Sequence, residues 1–284
     1  GVIAVDRDRG MLRRLVWNCG TYGVGDRVLA VQSQAESLTI PGGSLVHIDP
    51  DRRAGGVRRS LRIGGYRPDL AFLLDLPSRC RGGAIKLGPA SDFADHFDDT
   101  AFEIEVVSLG GECKEATIWF GELATCRRRA TTLPTRATWT DRDRTRPDRS
   151  QAALRAPLGP WIVEPDPALS RSGLLDAFAD AHGLVRVSAD SNLRTAIAPL
   201  DSPLVANFEV EAEFSADMKR LRVALASRGI GPKEVKAKGF DAAWTARAPR
   251  ALCGLTGRPA TIFLLPGSGE MASRAIVAHR RPAM

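Results

Sequence analysis

Apolar and polar positions alternate along this chain in two distinct rhythms. Residues 2–6, VIAVD, are apolar, β-branched and closed by an acid, which predicts a short buried strand. The next stretch changes period. Met11, Leu12, Leu15, Val16, Cys19 and Tyr22 recur at helical spacing, behind Asp8 as a cap and before Gly20 and Gly23 as a stop. Strands follow at 27–31 and 44–48, the second reached through the turn Pro41-Gly42-Gly43. Leu70, Phe72, Leu73, Leu74 and Leu76 predict a helix over 68–78, and GAIKL at 83–87 a further strand. Residues 102–109 and 115–123 read as an antiparallel pair about Gly110-Gly111. Strand, helix, strand, strand, helix, strand and a closing hairpin predict a parallel sheet covered by helices, with one antiparallel strand at its edge.

Residues 136–150 lose apolar period and read as a linker. Beyond them the pattern is α+β. A helix capped by Ser170 or Ser172 runs to about His182, and a strand follows at 204–214. A second helix, capped by Ser215 and using Met218, Leu221 and Leu225, stops at Gly229. KEVKAK at 233–238 alternates as a strand with Lys236 and Lys238 on one face, and 260–265 with 274–280 form a hairpin. The expected division is a first domain over 1–135, a basic linker over 136–157 and a second domain over 158–284.

The chain has 284 residues, is 44% hydrophobic and contains no run long enough to span a membrane, which fits a soluble cytoplasmic protein. No signal peptide opens it, since charge begins at Asp6. Five scattered cysteines without a C-x-x-C pair, and four histidines apart from them, indicate neither a disulfide framework nor a metal site. Oligomeric state is not legible. The net charge of +7 is concentrated: residues 51–67, 123–150 and 216–240 are each strongly basic, and the remainder is acidic. Such patches suit a polyanion such as RNA, although arginine outnumbering lysine also fits codon composition and ordinary solvated surfaces.

The segments VIAVDRD, DRVLAVQSQAESL, SLVHIDPDRR and GGAIKL, in that order, resemble class I S-adenosylmethionine-dependent methyltransferases, which have a Rossmann-like sheet. More narrowly, HIDPDRR with GGAIKLGPASDF, GECKEATIWFGEL and RRRATTLP resembles bacterial methyltransferase-like proteins with a C-terminal THUMP-like domain. IVEPDPALSRSGLLDAFA and DMKRLRVALASRGIGPKEVKAKG are similar to that domain. The first stretch also resembles cap trimethylguanosine synthases. The likeness covers almost the whole chain. It implies a first strand with a glycine-rich loop, which these residues lack; Gly20-Thr21-Tyr22-Gly23 ends a helix instead. A sheet short of that strand, and weak cofactor binding by these residues alone, are the expectations.

The resemblance implies S-adenosylmethionine as cofactor and gives residues roles. Asp6, ending its strand, would accept hydrogen bonds from the ribose diol, since a carboxylate offers two acceptors; an ordinary turn aspartate is the alternative. Gln34 and Ala35 would meet the adenine, or Glu36 if the register slips by two. Asp49, Pro50, Asp51 and Arg52 would form the catalytic tetrad, with Asp49 orienting an exocyclic amine beside the transferred methyl; a capping turn is the plainer reading. No aromatic follows the proline, so the arginines would hold phosphate or a base edge instead. Arg53, Lys86, Lys219, Arg222, Lys236 and Lys238 are candidate RNA contacts, or else solvated charges. His47 reads as a core or sheet histidine, and Trp119 and Phe120 as core. The expected function is amine-directed RNA methylation with RNA as partner; methylation of a small molecule or protein, or RNA binding by a worn methyltransferase fold, are the alternatives.

Overall fold

The computed structural model describes residues 1–52, 61–97, 100–143, 157–267 and 273–282. In chain order the strands and helices of the first half are β1 (Val2–Asp6), α1 (Arg9–Thr21), β2 (Val28–Gln32), β3 (Leu45–Ile48), α2 (Leu70–Arg79), β4 (Gly82–Leu87), β5 (Phe102–Leu109), β6 (Glu112–Gly121), β7 (Arg128–Leu133) and β8 (Ala137–Thr140). The second half has β9 (Trp161–Pro165), α3 (Pro167–Arg171), α4 (Leu175–Ala181), β10 (Val185–Arg186), β11 (Arg194–Ala196), β12 (Val205–Ser215), α5 (Met218–Ser227), β13 (Ile230–Ala237), α6 (Ala242–Ala251), β14 (Arg258–Leu265) and β15 (Arg274–Arg280). The result is a mixed α/β chain. Among the described residues no helix is long and apolar enough to cross a membrane.

The parallel strands do not form one sheet. β1 pairs in parallel with β2, from Val2↔Val28 to Asp6↔Gln32, as a separate two-stranded sheet. β3 pairs in parallel with β4 in a sheet of order β3-β4-β6-β5-β7-β8. Among the described residues the other edges of β1 and β3 carry no ladder. The expectation that residues 2–6 form a buried strand is therefore corrected: Val2 and Ile3 are 59% and 61% exposed, and Leu45 of β3 is 48% exposed. Apolar strands stay open here because no described strand covers them. The closing hairpin is corrected too. Gly110 and Gly111, at φ 61° and 82°, make its turn, but β7 and β8 continue the sheet beyond it.

Residues 137–140, expected within a linker, form β8 and pair antiparallel with β7; residues 144–156 lie outside the described residues. The chain divides into one unit of residues 1–104 and 117–125 and another of 105–116 and 126–284. In the first, Leu73, Leu76, Ile85, Phe93 and Ile104 are buried, and Phe97, Phe102 and Phe120 pack edge to face at 5.1 and 6.4 Å. Edge-to-face rings of this kind are worth about 0.5–1.5 kcal/mol beyond burial.

The second unit is built on a sheet of order β10-β11-β9-β12-β15-β14-β13. Leu221 and Leu225 of α5 and Ala248 of α6 pack with Ile262, Leu264, Ala275 and Val277. Phe208, Phe263, Leu265 and Ile276 form a second cluster from the alternate strand positions, on the other face. The helix expected from a Ser170 or Ser172 cap to about His182 is α4, but its N-cap is Leu174 without a side-chain cap; Ser172 instead closes α3, and Gly173 at φ 79° separates the two, a left-handed conformation that only glycine adopts cheaply. Asp217, not Ser215, caps α5, its carboxylate accepting from the Lys219 and Arg220 backbone N–H groups. Helix α6 had no counterpart in the apolar pattern.

Candidate functional site

The predicted residues of the first unit lie on turns at the ends of β1, β2 and β3. Asp6 closes β1. Its Oδ1 accepts the Asp8 N–H at 2.7 Å and its carbonyl accepts Ser33 N–H at 3.2 Å. Among the described residues Oδ2 has no hydrogen-bond partner. Asp8 caps α1 by accepting from Gly10 and Met11, as its position predicts. Across the register pair Asp6↔Gln32, the Gln32 side-chain amide donates to the Arg7 carbonyl at 3.3 Å. Gln34 then caps a single 3₁₀ turn over Ala35–Ser37 and stands exposed. Its carbonyl accepts Ser37 N–H at 3.1 Å.

The second strand end is that of β3. The parallel register Ile48↔Ile85 puts Asp49 beside Lys86, and their side chains pair at 3.3 Å. The β3–β4 approach is close because residue 83 is glycine. A Cβ there would lie 2.2 Å from the Val46 carbonyl oxygen and 2.6 Å from the Phe120 ring. Pro50 is buried. Asp51 is fixed by its backbone: its N–H donates to Arg67 O at 2.7 Å and its carbonyl accepts Arg67 N–H at 3.1 Å. Arg52 lies against the turn after β4, since a Cβ on Gly88 would stand 2.7 Å from its guanidinium and 3.7 Å from the Tyr66 hydroxyl.

Arg7 joins the two ends. Its guanidinium donates to Asp51 Oδ2 at 2.8 Å. The residue after Asp6 is thus tied to the loop that follows β3 and carries Asp49, Asp51 and Arg52. Both partners of this bridge are open to water, at 60% and 42% exposure, so its worth in stability is about 0.2–1 kcal/mol. Sequence reasoning missed Arg7. The only signal was its place beside Asp6; its partner lies 44 residues away.

The remaining predicted residues lie elsewhere. Arg53 falls outside the described residues. His47, expected in the core or sheet interior, is exposed because it alternates with Val46 and Ile48 on an open strand. Phe120 is core, and Trp119 is half-buried. In the second unit Lys236 pairs with Glu164 and Glu234, and Lys238 pairs with Glu164. Lys236 also stands over the Phe208 and Phe263 rings, at 5.3 and 5.8 Å. Burial pushes the Glu164 carboxyl up, but hydrogen bonds and charge from the two lysines outweigh it and hold the group below the ordinary glutamate range. Arg222 donates to the Ala251 and Cys253 carbonyls at 3.0 and 2.9 Å, closing the C-terminal end of α6. Lys219 is exposed.

No family model matches the chain. Two proteins of Mycobacterium tuberculosis, from strains CDC 1551 and H37Rv, are each 34% identical to it over 200 residues. Each is described as an uncharacterized S-adenosylmethionine-dependent methyltransferase. The chain is similar to S-adenosylmethionine-dependent methyltransferases. The match takes in 69% of this chain and 53% of each relative, so the chain spans about half the length of these methyltransferase relatives. A crystal structure of a candidate methyltransferase from Porphyromonas gingivalis W83 superposes with a TM-score of 0.65 at 17% identity. It covers 84% of this chain and 60% of that one, and it shows the fold alone.

The residues at these strand ends have the chemistry such a cofactor needs. Asp6 Oδ2 is an unused acceptor at a strand end, suited to a diol. Ala35 places a backbone N–H in the turn after β2, where a ring nitrogen can accept it. Asp6, Asp49 and Asp51 bring three carboxylates to these strand ends, which can attract a positively charged sulfonium, and Arg7, Arg52 and Lys86 balance them.

Proposed function

We propose that the protein is an S-adenosylmethionine-dependent methyltransferase that acts on RNA at an exocyclic amine. In this reading residues 1–135 supply a Rossmann-like methyltransferase sheet, and a THUMP-like domain over 158–284 delivers the RNA in the cytoplasm. The observation that carries it is the Arg7–Asp51 hydrogen bond, which ties the residue after Asp6 to the tetrad that begins at Asp49. The relatives' descriptions support the cofactor.

When bound, the cofactor supplies an electrophilic methyl group on sulfur. The chain's own part is positioning. Asp6 accepts from the ribose hydroxyls, and Gln34 and Ala35 meet the adenine edge. Asp49 accepts an N–H of the substrate amine, which aims the nitrogen lone pair away from the carboxylate. Lys86 pairs with Asp49 and holds its carboxylate at the strand end. Pro50 is packed and the Asp51 backbone is tied to Arg67, so the acceptor loop keeps one geometry. Arg52 contributes positive charge for a phosphate beside the base. Alignment of this kind is worth up to about 7–11 kcal/mol of barrier.

The test is transfer of a tritiated methyl group from S-adenosylmethionine to total RNA by the full-length gene product, with Asp49→Ala in parallel. Label should enter RNA and fall roughly a hundredfold in the variant, the size expected for a misplaced reactant. Label that enters protein instead of RNA, or RNA label indifferent to Asp49, overturns the proposal.

A further inference from the structure

We infer that RNA docks on the helical layer of the second unit, the exposed face of α5 and α6, and not on Lys236 and Lys238. This rests on the RNA reading above and says which surface of the domain makes the contact. Charge is sorted between the helices and the sheet. Helix α5, its C-terminal residue Arg228 and helix α6 carry Lys219, Arg220, Arg222, Arg228, Arg247 and Arg250, and no acid lies within either helix. All six are exposed. None is in an ion pair with a carboxylate among the described residues. The nearest acids, Asp217 and Asp241, are used as caps on the first turns of the two helices.

The sheet shows the opposite pattern. Lys236 pairs with Glu164 and Glu234, Lys238 with Glu164, Arg258 with Glu211 and Arg274 with Glu213; Lys233 and Arg280 are exposed without such a pair among the described residues, and Arg280 stands over the Phe208 ring. Lys236 is 17% exposed and stands over two buried rings. A phosphate arriving there would have to displace a half-buried carboxylate. On the helical layer it displaces only water and counterions, which is the favourable route for a polyanion. The two helices share one face of the sheet through Leu221, Leu225 and Ala248. Arg222 pins the α6 C-terminus, with Arg250, against the middle of α5. The cations thus belong to one surface. Lys219, Arg220, Val223 and Ala224 line a shallow depression of about 380 Å³ on it. Val223 gives that depression an apolar patch but no wedge deep enough for a bilayer, so charge complementarity favours nucleic acid over lipid.

The experiment uses the full-length protein and a short mixed-sequence single-stranded RNA. Binding is followed by fluorescence anisotropy across a salt series. Lys219, Arg220, Arg247 and Arg250 are changed to alanine together; Arg222 is left because it closes α6. The quadruple variant should bind at least tenfold more weakly, and the slope of log affinity against log salt should fall by up to about 3, given about 0.7 per lost phosphate contact. Lys238→Ala should bind as the parent does. Unchanged affinity in the quadruple variant, no RNA binding by the parent, tighter binding of matched DNA, or a loss confined to anionic vesicles each overturns the inference. Parent protein that labels RNA while the quadruple variant binds normally sinks this surface and leaves the methyl-transfer reading standing. Binding lost in the variant, with no RNA label from the parent, does the reverse.

Discussion

Gly83→Ala tests the geometry that sets Asp49 beside Lys86. The added methyl would sit 2.2 Å from the Val46 carbonyl oxygen and 2.6 Å from the Phe120 ring. Neither obstacle is the loose end of a flexible side chain. Val46 O is strand backbone opposite residue 83, and Phe120 is fully buried. Relief requires β3 and β4 to part by about 1 Å to restore ordinary carbon–oxygen contact near 3.3 Å. Overpacking of this kind costs roughly 1–3 kcal/mol, and one or two weakened ladder hydrogen bonds add about 1 kcal/mol each. The expected loss is about 2–4 kcal/mol, localised in the first unit. Gly43→Ala is the control, because a methyl there meets nothing within 4 Å and the glycine has no positive φ; it should change stability by less than about 0.5 kcal/mol. Native-state hydrogen exchange of the β3–β4 amides, beside urea unfolding, reads the local and global effects. Protection of the Ile85 amide should fall in Gly83→Ala alone. Equal stability and equal exchange in the two variants would refute the claim that close strand packing places Asp49.

Two further outcomes follow from the ion pairs. A double-mutant cycle of Arg7→Ala and Asp51→Ala, measured by urea unfolding, should give a coupling of about 0.2–1 kcal/mol that disappears in high salt, as both ends are open to water; coupling above about 2 kcal/mol would contradict this. Glu164, whose folded pKa lies below its ordinary value of about 4.3, contributes stability that is present above that value and lost as pH falls through the folded one. The melting-temperature gap between the parent and Glu164→Gln should therefore shrink on acidification; a gap that widens as pH falls would overturn the assignment.

Local signals carried the parts of the fold that depend on local physics. Asp8 reads as a cap from its position before a helical run, and its carboxylate does accept from Gly10 and Met11. The same logic chose wrongly at α5. Ser215 and Asp217 are both good cap types two residues apart, and only the backbone path decides which carboxylate or hydroxyl meets the first-turn N–H groups. Helix α6 escaped notice because AAWTARAPRA has a thin apolar stripe and a proline. Its start was nevertheless written at Asp241, which accepts Trp244 N–H at 2.7 Å. Strand β7, RRATTL, hides its alternation behind two arginines whose positions are only partly buried.

The candidate site divides along the same line. That Asp6 and Asp49 end strands was legible because a strand's period and its terminal acid are both local. The order of strands in space is not local. Residues 2–6 have the composition of an interior strand, yet among the described residues one edge of β1 carries no partner strand, and Val2 and Ile3 face water. The alternation pattern says which side chains want cover; it does not say which strand supplies it. Charge behaves likewise. Lys236 and Lys238 looked like a free basic face because alternation placed them together, and it did so correctly. Glu164, 72 residues earlier than Lys236, reaches that face only through the order β9-β12-β15-β14-β13. The helices α5 and α6 contain no acid, so no folding arrangement of their own residues can quench them. A cation's neighbours in sequence therefore predict its freedom on a helix better than on a strand, where the partner comes from elsewhere in the chain.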